Sequence, residues 1–408
     1  MRRLSTALGM PQHRFASVHV VGTNGKSSVT RMTAALLKAH GLAAGACISP
    51  HAERWSQRVL VHGEEIGEAE FAAAVERAAQ AAENVNRALE DGDEVTQFEL
   101  ATGAAFAALV TARVEVAAIE AGLGGRLDAT NTIPSRVTVL TSVGLDHTEW
   151  LGETEVEIAA EKLAVLRDHS ILVLGRVSPE VEQLAERTAA ERGARLVRAP
   201  EDPGEEVRLL APGRFQRRNF ALAMSAAEAF LGELNPARVA EVAATLTVPG
   251  RLERVAESPP TFLDAAHNPD GAAALAEALA ELPTGRVRPL SRSARQKANA
   301  RPIVACLAIL GDKDAAAMVR ALSPVLERAV CTELDSEVLV ARGLPGALSR
   351  PAGELAELCA AAGLAAEAEP DFTAAVNRGR RLALDADAIL LVTGSHYALA
   401  SARAILAS

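Results

Sequence analysis

At 408 residues the chain exceeds one ordinary domain of roughly 100–200 residues, so two or three domains are expected. A hydrophobic fraction of 49% supplies ample core and excludes disorder as the global state. Against 42 lysines and arginines stand 52 aspartates and glutamates, a formal charge of −10 that argues against sequence-independent nucleic-acid binding, which rests on phosphate neutralisation.

The first segment, MRRLSTALGMPQHRF, has two arginines but no continuous apolar core. It is expected to lead directly into a strand and to carry no secretion signal. Short apolar runs then alternate with amphipathic stretches. VHVVG (18–22), VEVAAIEAG (114–122), RVTVLTSVG (136–144) and SILVLG (170–175) read as buried strands, β-branched and ending in Gly or polar residues. SSVTRMTAALLKAHG (27–41) is predicted helical, with Val29, Met32, Leu36 and Ala39 on one face and Gly41 as the stop. Helices are also predicted over 151–167 and 178–192. This alternation predicts a mainly parallel sheet covered on both faces.

The Pro-, Gly- and acid-rich stretch 199–213 reads as a surface excursion, followed by helices at about 217–231 and 236–246. VPGRLERV (248–255) reads as a hinge, and the domain boundary is placed there, giving domains 1–249 and 250–408. A second α/β series follows in TFLDAAHN (261–268), RPIVACLAILG (301–311), RAVCTEL (328–334) and DAILLVTGSHY (387–397). RVRPLSRSARQKANAR (286–301) has six basic residues and no acid. It reads either as a solvated loop or as a landing site for an anionic substrate. Cys47, Cys306, Cys331 and Cys359 lie far apart, which argues against a zinc site or a disulfide framework. The longest strongly apolar run, IVACLAIL (303–310), is far short of the ~20 residues of a membrane span. A soluble cytoplasmic protein is expected, with neither nucleic acid nor membrane as partner.

Three strand ends hold chemistry. GTNGKSS (22–28) follows a strand and opens a helix, where backbone N–H groups and a helix N-terminus cradle phosphate. Gly22 and Gly25 let the backbone approach an anion, Lys26 supplies a point charge, and Ser27 and Ser28 can reach phosphate or magnesium. The G-x-x-G-K-S spacing is a shortened phosphate loop. A glycine-rich turn with an incidental lysine is the plain alternative. In IEAGLGGRLDATN (119–131), Glu120 ends a strand, where ligands bind in open α/β sheets, and its apolar neighbours argue for burial beside a cation. Asp128 and Asn131 follow on the same loop. SVGLDHTEWLG (142–152) presents His147 at a third strand end. Lys162, in IAAEKL (158–163), would on its own be read as a surface charge.

These motifs, with SPH (49–51), GRLE (250–253), DAAHNP (264–269), GDKD (311–314) and TGSHY (393–397), occur in order along almost the whole chain. The sequence resembles the folylpolyglutamate synthase/dihydrofolate synthase family, within the Mur ligase superfamily. The resemblance implies a P-loop ATPase domain with a mainly parallel sheet and a smaller C-terminal Rossmann-like α/β domain, with ATP between them. It implies that Thr23, Asn24, Gly25 and Lys26 hold the triphosphate, with Ser27 and Ser28 beside them. Ser49, Glu120 and His147 would bind magnesium, two ions in all, together with Lys162 as its carbamate. Asn219, Arg251, Asp264 and His267 would contact nucleotide. Thr96, Phe98 and Glu99, with Arg126 and Asp128, would meet the pterin substrate. Lys26, Lys162 and His147 would then be the catalytic set.

The implied reaction is amide formation between the carboxylate of dihydropteroate or a folyl-glutamate and the amine of L-glutamate, through an acyl phosphate. Partners would be small molecules only, and the enzyme a monomer. A bacterial bifunctional member is the first expectation. A monofunctional folylpolyglutamate synthase, a cell-wall Mur ligase and a non-catalytic nucleotide-binding regulator are the alternatives. Two departures from the family stand out: Ser27 where a Gly is usual, and an N-terminal segment shorter than the longer helix that the family usually has there.

Overall fold

The apolar runs become strands of two sheets in a computed structural model that describes residues 1–408 except 52, 91, 283–300, 342, 343, 345 and 408. Two units are present: Met1–Leu210 with Gln216–Leu246, and Ala211–Phe215 with Thr247–Ser408. Residues 286–300 of the basic stretch lie outside the described residues, and Arg301 at its end pairs with Asp387 at 3.1 Å.

In the first unit eight strands form one sheet: β1 (Ala16–Val21), β2 (Ala44–Cys47), β3 (Val59–Val61), β4 (Glu64–Glu65), β5 (Val116–Glu120), β6 (Val137–Leu140), β7 (Ile171–Leu174) and β8 (Arg195–Arg198). Their spatial order is β4-β3-β2-β5-β1-β6-β7-β8. The six from β2 to β8 in this order are mutually parallel, and β3 and β4 extend the edge antiparallel. Helices α1 (Arg2–Ala7), α2 (Lys26–Ala39), α3 (Glu68–Asn86), α4 (Gln97–Thr111), α5 (Thr148–Leu151), α6 (Glu155–Leu163), α7 (Pro179–Glu191), most of α8 (Arg214–Leu231) and α9 (Pro236–Thr245) complete the unit.

Strand β5 shows why a parallel strand is apolar throughout. Ala117 and Ile119 pack with Phe106 and Leu109 of α4 on one face, while Ala118 packs with Ala34 and Ile48 on the other. On the other flank Leu140, Leu163, Leu166, Leu172 and Leu174 bury α6 and α7 against β6 and β7. The important consequence is positional. The adjacent strands β2, β5, β1 and β6 all end at the same edge, so the residues after Cys47, Glu120, Val21 and Leu140 are neighbours. The strand order reverses about β1, the place where open α/β sheets bind ligands.

The second unit is a six-stranded sheet of β9 (Glu253–Glu257), β10 (Pro260–Leu263), β11 (Ile303–Leu307), β12 (Arg328–Cys331), β13 (Ala365–Ala368) and β14 (Ile389–Thr393), ordered β13-β12-β11-β14-β10-β9. Only β9 is antiparallel. Buried side chains cover both faces, with Leu275, Met318, Leu322 and Leu355 on one and Ala375, Val376 and Leu399 on the other.

Several expectations are corrected. The chain does not run directly into β1: α1 forms first, and its fully buried Leu4 packs beside Ala81 and Ala82. The stretch 151–167 is not one helix. Gly152, at φ +118°, ends α5, and α6 restarts behind a reciprocal cap between Thr154 and Glu157 and stops at Leu163. In VPGRLERV the last residues are not hinge but the start of β9.

Candidate active site

The phosphate loop is shaped by its neighbours. A Cβ on Gly22 would collide with Thr141 Oγ1 and lie 3.1 Å from the Ser142 carbonyl, so β1 and β6 can approach only with glycine there. Thr141 Oγ1 donates to the Asn24 carbonyl at 2.6 Å, and the Asn24 N–H donates to Ser142 Oγ at 3.1 Å. Thr23 exchanges bonds with Gly144: its hydroxyl donates to the Gly144 carbonyl (3.2 Å) and accepts from the Gly144 N–H (3.1 Å). Gly25 caps α2 at φ +86°, and a Cβ there would stand 2.6 Å from Asn219 Oδ1 of α8. Asn219 itself is held by Gln216, at 3.0 Å. Thr23, Asn24, Gly25, Lys26 and Asn219 are thus together. Ser28 is buried in the first turn of α2.

Two amines converge on one carbonyl. Lys26 Nζ donates to the carbonyls of Gly22 (3.1 Å) and Thr23 (3.2 Å), and Lys162 Nζ donates to the Gly22 carbonyl at 3.0 Å. Lys162 is only 4% exposed. Burial, and then the charge of Lys26, bring its pKa down to about 7, against the pull of Asp146 and Asp128. The surface position suggested by a lysine in an amphipathic helix is therefore wrong. Gly125 makes the burial possible: a Cβ there would meet the Glu161 and Lys162 carbonyls at 2.5 and 2.8 Å, so the glycine loop closes directly over the end of α6.

Glu120, 1% exposed, joins two further strand ends. Ser27 Oγ donates to its Oε1 at 2.9 Å, and the Ser49 N–H donates to its Oε2 at 3.0 Å. Ser27, Ser49, Glu120, Lys26 and Lys162 accordingly form one cluster. His147 stands at the N-cap position of α5 at φ +52°, with a half-exposed ring whose Nε2 is 3.9 Å from Asp146 Oδ1.

The residues expected at the pterin are engaged within the protein. Asp128 Oδ2 accepts the Leu123 N–H and Oδ1 accepts the Thr130 N–H, both at 2.9 Å, and Oδ1 also accepts the Thr130 hydroxyl. Burial pushes the Asp128 carboxyl up, against these bonds. Thr130 gives its one proton to Asp128, so the fully buried His19 must donate Nε2–H to Thr130 Oγ1, at 2.8 Å. Its Nδ1 is then a buried lone pair without a partner. Burial, with Arg167 nearby, pulls His19 down to about 3, so the ring is neutral. Arg126 pairs with Glu161 at 2.8 Å. Thr96 and Glu99 are a reciprocal cap of α4, and Glu99 also binds the Met1 amine. Phe98 lies over Gly122, whose missing side chain leaves room for the ring.

In the second unit Asp264 is buried and accepts the Leu252 N–H (2.7 Å) and the Ala266 N–H (2.8 Å), which ties GRLE to DAAHNP. Burial pushes its carboxyl up, while Arg251 opposes. His267 Nδ1–H donates to the Ala265 carbonyl at 2.9 Å. Asn268 caps α10 (Pro269–Glu281) through Gly271. Sequence reasoning missed Thr141, Ser142, His19, Thr130, Arg167 and Glu253. Only the Thr-Ser pair had a visible signal, two hydroxyls directly after an apolar strand. Glu253 holds the Gly250 N–H and both Nη groups of Arg403.

Among the described residues no group of three or more His, Cys, Asp or Glu is gathered to hold a metal. The cluster offers one carboxylate and serine hydroxyls instead. That is an all-oxygen set of the kind magnesium uses when phosphates and water complete its shell.

Residues 20–199 match the Mur ligase middle domain, and residues 250–396 match the glutamate ligase domain of Mur ligases. The fold and cluster define an ATP-dependent ligase of that class. The Mycobacterium tuberculosis dihydrofolate synthase/folylpolyglutamate synthase is 33% identical over 82% of this chain and 73% of its own. The Lacticaseibacillus casei folylpolyglutamate synthase is 32% identical over 79% and 78%. The crystal structure of the M. tuberculosis enzyme with ADP and AMPPCP superposes with a TM-score of 0.84 at 30% identity, covering 100% of this chain and 94% of that one. The chain belongs to the dihydrofolate synthase/folylpolyglutamate synthase family.

Proposed function

We propose that the enzyme is bifunctional and adds L-glutamate to dihydropteroate and to reduced folyl-glutamates. The observation that supports this best is the bonding of Ser27, Ser49 and Glu120 beside Lys26 and Lys162. It gathers one carboxylate, two serines and two amines at a phosphate-binding turn. The M. tuberculosis relative is named for both activities, and the Escherichia coli neighbour was crystallised with DHPP and ADP. In this reading Lys26 and the first-turn N–H groups of α2 bind the triphosphate, at the turn that Thr23, Asn24 and Gly25 shape and with Ser27 and Ser28 beside them. Ser49, Glu120 and His147, with Ser27 as an added contact, would hold magnesium, two ions in all, and the metal would supply charge neutralisation for phosphoryl transfer to the substrate carboxylate. The amine of glutamate then displaces phosphate from the acyl phosphate.

Lys162 acts as its carbamate. Carbamylation needs a free amine, and a lysine held near pKa 7 offers one at neutral pH, whereas an ordinary lysine does not. Asn219, Arg251, Asp264 and His267 serve the nucleotide, and Thr96, Phe98, Glu99, Arg126 and Asp128 the pteroyl group. Those among them whose polar atoms are already engaged shape the pocket rather than bind directly. Leu127 on the loop after β5 and Trp150 in α5, both exposed, offer apolar surface to a ring. The functional domains are 1–249 and 250–408, acting as a cytoplasmic monomer. Among the described residues no helix is long and apolar enough to cross a membrane.

The test is ADP release coupled to amide formation, with dihydropteroate and tetrahydrofolate compared as acceptors. Turnover of both supports bifunctionality. Turnover of tetrahydrofolate alone makes the enzyme a folylpolyglutamate synthase. ATP binding without amide formation from either acceptor removes the reading in favour of a nucleotide-binding regulator.

A further inference from the structure

We infer that Arg167 is a positioning residue that fixes the 122–133 segment against the end of the helix bearing Lys162. The inference rests on the proposed function only in taking that segment to face the pteroyl substrate. Arg167 Nε–H donates to the Ile133 carbonyl at 3.0 Å, and Nη2 donates to the Asn131 carbonyl at 2.7 Å and to Asn131 Oδ1 at 2.8 Å. All three acceptors belong to one turn. Ala129–Thr132 is a single 3₁₀ turn distorted at Asn131, and the carbonyls at the end of such a turn lack partners within it. A guanidinium fork supplies them.

Both sides of this clamp are rigid. Val165 and Leu166, just before Arg167, are buried in the core around β6 and β7, and Ser170 Oγ donates to the Arg167 carbonyl at 2.6 Å. On the other side, Asn131 Nδ2 donates to the Arg126 carbonyl at 2.9 Å, which passes the constraint back along the loop. The loop is tied to the same helix end at Arg126 too, by its N–H donating to the Glu161 carbonyl at 3.1 Å and by an exposed Arg126–Glu161 ion pair that contributes little. Arg167 is half-buried, and its bonds are charge-assisted, the stronger kind. The segment begins two residues after Glu120. A loop released at 131–133 keeps the Arg126 backbone bond and the Asp128 bonds but loses its anchor at the far end, which loosens its register with the carboxylate at its start and with Lys162 beneath Gly125.

The test uses Arg167→Met, Arg167→Lys and Asn131→Ala in the full chain. Three readouts are needed: KM for the pteroyl or folyl acceptor, KM for ATP, and amide hydrogen exchange over 121–133. Arg167→Met should raise the acceptor KM about tenfold or more while the ATP KM stays within about twofold, and should speed exchange over 122–133 about tenfold, the loss expected for charged hydrogen bonds of this kind. Arg167→Lys should recover part of both changes, since one point donor replaces a fork. Asn131→Ala should move the same readouts less, and it keeps the test open if Arg167→Met does not fold. Unchanged exchange over 122–133, or equal rises in both KM values, would overturn the inference. If the wild type turns over no pteroyl acceptor, the proposed function fails, while the exchange measurement still decides whether the clamp exists.

Discussion

The two units hold their polar residues in opposite ways. In the first, bonds at the strand ends join residues far apart in the chain: Lys162 to Gly22, Ser49 to Glu120, Ser27 to Glu120. In the second, the polar groups of the DAAHNP segment bond nearby backbone, the buried Asp264 to Leu252 and Ala266, the half-buried His267 to Ala265, the buried Asn268 to Gly271. The first arrangement assembles a reactive cluster that exists only when the sheet is complete. The second shapes loops. A substitution in the first unit should therefore strike chemistry with the fold kept, and one in the second should strike stability.

The sharpest way to break that contrast is Lys162. Lys162→Ala should lower ligase turnover by about 10³-fold or more, the scale of a lost charge-stabilising group, with an unchanged near-UV circular dichroism spectrum. Lys162→Arg should not restore it if, as proposed, the chemistry needs a carbamate, which a guanidinium does not form. Turnover near the wild-type rate in either variant would remove Lys162 from the chemistry. Asp264→Ala is the counterpart in the second unit. It leaves the buried Leu252 and Ala266 N–H groups without acceptors and should cost about 2–4 kcal/mol, read as a lower urea midpoint. A midpoint equal to the wild type would show that the local bonds in the second unit do not maintain its loops.

What could be read in advance follows the same division. The ends of β1, β5 and β6 were legible because each is a short apolar run broken by glycine and polar residues, a pattern that places Lys26, Glu120 and His147 without tertiary knowledge. The burial of Lys162 was not, because it depends on Gly125, distant in sequence, having no side chain. Strands β3, β4, β8 and β13 have only two to four residues each and too little pattern to detect. Thr96 and Glu99 carry two signals at once. Their T-x-x-E spacing spells a helix cap, which the structure shows, and the family resemblance adds the substrate role proposed for them.

His19 tests a quieter part of the contrast, a buried neutral ring that supports the first unit's loop through Thr130 and Asp128. Its folded pKa of about 3 lies below the ordinary value of 6.5, so between those values the unfolded chain binds the proton and the folded one does not. Stability from this group is therefore fully present above pH 6.5 and is lost as pH falls toward 3. Carboxylates add their own acid dependence, so the comparison is between the wild type and His19→Gln, whose amide can still donate to Thr130 but does not titrate. Between pH 7 and 5.5 the wild type should lose about 1 kcal/mol more than the variant, seen as a steeper fall of Tm with acid. Parallel curves would mean that the ring takes up its second proton, on Nδ1, as readily in the folded chain as in the unfolded one, with the Nε2–H bond to Thr130 kept, and would remove the buried neutral imidazole from the contrast.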